Sequence, residues 1–329
     1  MSDRIYDFNT YLRNLYAERV QKITIDAGFT CPNRDGTRST GGCIFCNQKG
    51  SGTGQALAGL SVREQILRQQ QSISQRYKAR KFLAYFQSFS NTYAPLQTLK
   101  RLYEEALSVE GVVGLCIGTR PDCIDSGIVD LLESYAQDHL VWLELGLQSF
   151  HDQTLHRINR GHGTREFLDA VNLANSRKGI NICVHVILGL PGEEKSDMID
   201  TACKLSQLAI HGIKIHLLYV IKGTPLAALY QRGEYCCLTR EEYIDILCEF
   251  IQYLPSDMVI QRLISDPHPD ELLAPAWALN GSENRRKIEQ ALAERDIRQG
   301  QKWKETSQGQ KRGGGSVEGF ANRSRDGPA

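Results

Sequence analysis

A chain of 329 residues with 39 basic and 38 acidic side chains carries a formal net charge of +1, which excludes a global field that would steer nucleic acid to it. Apolar content of 41% and charged content of 23% are ordinary for a folded globular protein, and no run approaches membrane-spanning length. The opening MSDRIYDFNTYLRN has no apolar core of a secretory leader, so the ten cysteines are expected in a reducing, cytoplasmic setting, not in disulfides.

Residues 1–20 are polar with interspersed aromatics and read as a packed lead-in. Ile23–Ile25 is a short β-rich run that ends at Asp26, directly before a segment with almost no aliphatic residues, DAGFTCPNRDGTRSTGGCIFCNQKGSGTG. That segment holds Cys31, Cys43 and Cys46 in the spacing C-x11-C-x2-C. A structural zinc site closes with four protein ligands, whereas a 4Fe-4S cluster on three thiolates keeps one iron open for chemistry. A capping box at Ser61 and Glu64 then opens a helix.

The strand–loop–helix unit recurs. Further strands are predicted at 82–87, 112–118, 141–147, 182–188 and 213–220. Helices follow through Leu96–Leu107, Ile128–Tyr135, a segment capped at Thr164 and closed by Gly179, Met198–Ala209, and a segment from Thr239 and Glu242 to Pro255. Met258–Ile264 is a candidate further strand and 284–296 a last helix. Six such units argue a parallel α/β architecture, without separating an open sheet from a barrel. The chain divides into the lead-in, a core over 21–256, an extension packing on it over 257–304, and a disordered tail over 305–329. Polar or glycine-rich residues gather at one rim, after the strands, as parallel barrels place their functional groups.

The loop DAGFTCPNRDGTRSTGGCIFCN, with LELGLQSF, HVILGLPGE and LLYVIKGTPL in that order, resembles the YhcC/YtqA family of radical S-adenosylmethionine (SAM) proteins. That family is related to the radical SAM half of the elongator complex's catalytic subunit. The resemblance implies a partial (β/α)6 TIM-type barrel with a C-terminal extension, a 4Fe-4S cluster on Cys31, Cys43 and Cys46, and SAM as cofactor. It implies an enzyme that cleaves SAM reductively to a 5′-deoxyadenosyl radical, with an external electron donor of flavodoxin or ferredoxin type. Phe45 is the aromatic before the last cysteine. Gln87 and Ser88 stand where the methionine amine is held, although the usual Gly-Gly-Glu pattern is missing there. Glu144, Gln148 and Ser149 are expected on the ribose and methionine ends, with a charge pair inside the barrel as the alternative for Glu144. Gly189, Leu190, Pro191 and Gly192 are expected against the adenine, with Tyr219 as a neighbour and Arg160 on the SAM carboxylate. Arg120, Arg262, Arg285, Arg286 and Lys287 are available for phosphates.

The elongator likeness makes the wobble uridine of a tRNA the candidate substrate. A small metabolite or a protein side chain is the alternative within the same chemistry. A non-catalytic, zinc-stabilised RNA-binding protein is the alternative from another class, and it has no use for the GLQS and GLPGE strings.

Overall fold

A computed structural model describes residues 3–47, 50 and 58–304. The tail expected to be disordered, 305–329, lies outside the described residues. In chain order the elements are α1 (Phe8–Tyr16), β1 (Val20–Ile25), α2 (Val62–Tyr77), β2 (Lys81–Phe86), α3 (Leu96–Leu107) and β3 (Val112–Thr119). Then come α4 (Ser126–Ala136), β4 (Leu140–Gln148), α5 (Asp152–Arg157), α6 (Thr164–Asn175), β5 (Ile180–Leu188) and α7 (Lys195–Ser206). The last are β6 (Gly212–Leu217), β7 (Val220–Ile221), α8 (Pro225–Gln231), α9 (Arg240–Tyr253), β8 (Val259–Arg262), β9 (Leu272–Ala274) and α10 (Gly281–Glu294).

Seven parallel strands in the order β1-β2-β3-β4-β5-β6-β8 form one sheet, curled into a half-barrel of the radical SAM type. Each strand of this sheet is joined to the next by one or more crossover helices, α8 and α9 together with β7 lying between β6 and β8, and the helices cover the outer face. Burial on both faces is why β4 reads LVWLELGLQ with eight consecutive buried positions. The capping box at Ser61 is real: its Oγ accepts from Glu64 N at 3.2 Å while Glu64 Oε2 accepts from Ser61 N at 2.8 Å. Thr239 and Glu242 repeat it at the start of α9.

The candidate strand at Met258–Ile264 is β8, which pairs in parallel with β6 as the seventh strand of the sheet. Three points differ from expectation. The run 213–220 is not one strand: β6 stops at Leu217, and β7 leaves the sheet to pair antiparallel with β9. Thr164 does not cap α6. Gly163 occupies the N-cap, Thr164 N donates 2.7 Å to Asp152 Oδ1, and the helix ends at Asn175, four residues before Gly179. The short helices α5 and α8 were not expected, although Thr224 followed by Pro225 is a helix-start signal.

The N-terminal end of the barrel is plugged. Leu12, Val20, Leu83, Cys116, Leu140, Trp142, Cys183 and Val259 form a separate buried cluster inside the sheet's curl. From α1, Phe8 and Tyr11 meet the Trp142 ring edge-on at 5.7 and 5.5 Å between centroids. Gly212 leaves room for that indole, since a Cβ there would come within 2.9 Å of it. No helix among the described residues is long and apolar enough to cross a membrane.

Candidate active site

The cysteine loop leaves β1 at Asp26. The Gln65 side chain on α2 grips that residue's backbone from both sides, accepting from Asp26 N at 2.9 Å and donating to Asp26 O at 2.7 Å. Cys46 N closes a tight turn onto Cys43 O at 3.0 Å, which sets the C-x2-C pair side by side.

A second loop, from α5 to α6, clamps the first. Ile44 N donates to Ile158 O at 3.1 Å, Asn159 Nδ2 to Gly42 O at 2.8 Å, and Asn33 Nδ2 to Asn159 O at 2.7 Å. Asn159 holds φ +50, a left-handed conformation that asparagine tolerates better than most residues. Arg160 Nη1 reaches Cys43 Sγ at 3.4 Å and its Nη2 reaches Gly146 O at 2.5 Å. Gly146 is required for this approach, because a Cβ there would stand 2.7 Å from Arg160 Nη2. Behind it, Arg120 Nη1 donates to Arg160 O at 2.8 Å and forks onto Asp122 at 2.9 and 3.0 Å. Arg120 is 2% exposed, so it is committed to this support and does not face a phosphate.

Cys31, Cys43 and Cys46 line one wall of a cavity of about 730 Å³ at the C-terminal end of the strands. Burial pushes the Cys46 thiol up to about 11; the neighbouring Cys43 and Cys31 add to this, while Arg34 and Arg160 oppose it. Phe45, Gln87, Ser88, Glu144, Gln148, Arg160 and Tyr219 share the cavity with the cysteines. Gln148 ends β4 in a register break with φ +85, a strained backbone that aims the residue at the cavity. Asn91 Oδ1, Arg160 Nε and His216 Nε2 are buried polar atoms on these walls with no hydrogen-bond partner among the described residues.

Five expected residues do not line this cavity. Ser149 Oγ is spent on the Glu193 carboxylate. Gly189, Leu190, Pro191 and Gly192 form a turn that packs outward. Tyr235 Oη donates to Gly189 O at 2.9 Å, Arg157 Nη1 donates to Pro191 O at 3.1 Å, and Leu190 is buried. A Cβ on Gly192 would overlap Arg157 Nη1 at 1.1 Å, so this glycine makes room for an arginine.

The cavity floor is a charged layer. Glu144 is fully buried and takes Lys22 Nζ at 2.9 Å, His185 Nε2 at 3.0 Å and the Lys214 ammonium. Burial works to raise its carboxyl, but Lys214, Lys22 and His185 outweigh burial and hold it well below the usual range. Glu144 is thus the charge pair inside the barrel, in contact with the cavity from below. Burial, helped by Lys214, pushes the His185 imidazole down to about 4. Lys22, Lys214 and His216 were missed from the sequence. Their signal was a charged or polar residue inside otherwise apolar strands, as in QKITI and IKIHL.

The Radical SAM superfamily model matches residues 34–204, and the Radical_SAM C-terminal domain model matches residues 210–294. The chain belongs to the Radical SAM superfamily. It is a radical SAM enzyme of the YhcC/YtqA type, and the superfamily uses a 4Fe-4S cluster and SAM with an external reductant. YtqA of Bacillus subtilis is 37% identical over 301 residues, covering 90% of this chain and 92% of YtqA. YhcC of Escherichia coli is 39% identical over 274 residues, covering 83% of this chain and 87% of YhcC. A tRNA uridine(34) acetyltransferase of Methanocaldococcus infernus is 29% identical over 158 residues, 47% of this chain and 29% of that protein. The solved archaeal Elp3 of the same organism, lacking its N-terminus, shares the fold at TM-score 0.63 and 18% identity, over 85% of this chain and 64% of its own.

Proposed function

We propose that Cys31, Cys43 and Cys46 hold the 4Fe-4S cluster, that SAM binds beside it in the cavity, and that the substrate is the wobble uridine of a tRNA. The observation that carries this reading is the meeting of three thiols, two of them buried, on one wall of a large cavity with unpartnered polar atoms. Crowded and buried thiols favour the proton over the thiolate, and a cationic centre between them reverses that preference. Arg160 on the Cys43 sulfur favours the thiolate further. A structural zinc site closes on four protein ligands, whereas three thiols come together on this wall.

For SAM, Phe45, Tyr219, Leu218 and Ile187 line an alcove of about 170 Å³ beside Cys46, and Gln148, His185, His216 and Ser265 line it too, a mix of apolar and polar groups suited to adenine. Gln87, Ser88 and Asn91, around the end of β2, offer polar groups to the methionine end. Arg160 serves the cysteine loop instead of the SAM carboxylate. Ser149 and the Gly189–Gly192 turn position β4 and β5 from behind. When bound and reduced by a flavodoxin- or ferredoxin-type donor, the cluster supplies the electron that splits SAM into methionine and a 5′-deoxyadenosyl radical able to take a hydrogen atom from substrate. The protein's part is to exclude water from the cavity, orient both ligands and keep the floor charges paired.

The uridine rests on the similarity to tRNA uridine(34) acetyltransferases, proteins that act on that base. A wobble base is single-stranded and can be turned out of its loop into a cavity. Arg262 is exposed on the cavity wall, and Arg285 and Arg286 are exposed on α10, where they can meet phosphates. With a net charge of only +1, binding should be modest and salt-sensitive. Mass spectrometry of tRNA nucleosides from wild-type and deletion cells tests the proposal. Loss of one modified uridine is expected. Identical profiles, with no retardation of tRNA by the holoprotein at low salt, would overturn it.

A further inference from the structure

Arg160 is a buried charge without a carboxylate. It is 7% exposed, and among the described residues its guanidinium meets a sulfur and a carbonyl instead of an acid. Its buried Nε has no partner among those residues. A buried cation is costly unless it is paired, so the missing negative charge is expected where the guanidinium points. It points at Cys43.

The neighbouring side chains do not supply that charge. Arg120 holds Arg160 O and forks onto Asp122, and the same carboxylate takes Arg38 Nε at 3.0 Å. Asp122 is therefore committed to two other guanidiniums. His162 adds no anion either: burial, Arg160 and Arg120 push its imidazole down to about 2 and keep it neutral. Asn33 Nδ2 is a second donor, 3.8 Å from the same sulfur. Gly161 allows this approach, since a Cβ there would stand 2.3 Å from Asn33 Oδ1. Among the described residues, side-chain N–H groups reach one of the three loop sulfurs, that of Cys43.

Adding one electron to a cluster on these thiols adds negative charge beside a cation that water barely screens. The cation favours the reduced form over the oxidised one, and N–H groups on a ligand sulfur act in the same direction. We infer that Arg160 is a positioning residue that raises the cluster's reduction potential through the Cys43 sulfur, into reach of a one-electron donor of flavodoxin or ferredoxin type. In that step the donor loses one electron and the cluster gains it, while Arg160 keeps its protons. The inference rests on the reading that Cys31, Cys43 and Cys46 hold the cluster.

The test is a potentiometric titration of anaerobically reconstituted holoprotein without SAM, with the reduced cluster read by electron paramagnetic resonance. Arg160→Gln removes the charge and keeps a neutral donor. At the wild-type midpoint its reduced-to-oxidised ratio should fall tenfold or more, a midpoint lower by about 59 mV for each factor of ten. Arg160→Lys keeps the charge and should recover most of that shift. Iron content of about four per chain qualifies each titration. A wild-type midpoint in Arg160→Gln overturns the inference. So does an Arg160→Lys midpoint shifted as far as that of Arg160→Gln, which marks lost structure instead of lost charge. If Arg160→Gln holds no iron, Gly146→Ala decides, because its Cβ, 2.7 Å from Nη2, displaces the guanidinium and leaves the arginine in the chain. A lower midpoint there supports the inference, and a wild-type midpoint or loss of iron there overturns it. If wild-type protein takes up no iron, the cluster reading itself fails and takes the inference with it.

Discussion

At the N-terminal end of the barrel, Val20, Leu83, Trp142 and Cys183 close the interior against α1. Two residues further along the same four strands stand Lys22, Tyr85, Glu144 and His185, joined by hydrogen bonds, charges and a cation–π contact. The side-chain period of a strand is two, so both sets point to the same face of the sheet. One layer is dry and apolar, and the next is charged and opens upward into a cavity. Stability and chemistry are therefore separated along the strand axis by a single step, and the charged layer marks the boundary. The plug contributes by burying aromatic surface. The charged layer contributes little net stability, since its ions lose water, but breaking one partner is costly.

That separation predicts that the two ends can be damaged independently. The largest effect is expected at the rim. Anaerobically reconstituted wild-type protein should hold about four irons, and Cys31→Ala, Cys43→Ala or Cys46→Ala should abolish them. The apoprotein's unfolding free energy from urea titration should change by less than about 1 kcal/mol in each. Cys236→Ala and Cys248→Ala should keep full iron, and full iron in Cys43→Ala would end the cluster assignment. In the plug, Trp142→Ala should cost about 3–5 kcal/mol of apoprotein stability by leaving a cavity against Phe8 and Tyr11. Iron content at temperatures where the variant stays folded should be unchanged; loss of iron there would show that the two ends are coupled.

The outer architecture was legible because it is written in local signals. Apolar strands such as Val112–Thr119 and capping boxes at Ser61 and Thr239 depend on neighbours in sequence. The cysteine loop was legible for the same reason. What the sequence could not show is which way a strand-end motif faces. Gly189 and Gly192, with φ +89 and +80, look like space left for a ligand, yet the space around Gly192 is taken by Arg157, 35 residues earlier. The seventh strand was legible as a candidate at Met258–Ile264, but it is short and carries the polar pair Gln261 and Arg262, so its place beside β6 was not. Lys22 and Lys214 lie far apart in sequence, and both meet Glu144 only when the sheet curls.

The charged layer itself gives the next smaller effect. Glu144→Gln keeps the shape but leaves the Lys22 and Lys214 ammoniums without their anion, at a cost of about 2–3 kcal/mol near neutral pH. The folded carboxyl titrates well below its ordinary value of 4.5, so its contribution is complete above that value and is lost as pH falls through the folded one. The stability gap between wild type and Glu144→Gln should be flat at neutral pH and should narrow below about 4.5. Urea titrations across that range measure it. A gap that widened on acidification would mean the carboxyl is protonated in the folded protein.

The smallest effect is expected from Gly192→Ala, which sharpens the comparison by testing where the rim ends. The position holds φ +80, and an added Cβ would displace Arg157 Nη1 from its contact with Pro191 O. Arg157 is the far end of a flexible, exposed side chain and can swing into solvent, so the main cost is the left-handed backbone, about 1 kcal/mol. Because the turn faces Arg157, Tyr235 and Leu238 instead of the cavity, SAM affinity of the reconstituted protein should be unchanged. Calorimetry of SAM binding decides it. An affinity reduced about tenfold or more, with iron intact, would place the nucleoside on this turn and move the boundary of the active rim outward from β6 to the end of β5.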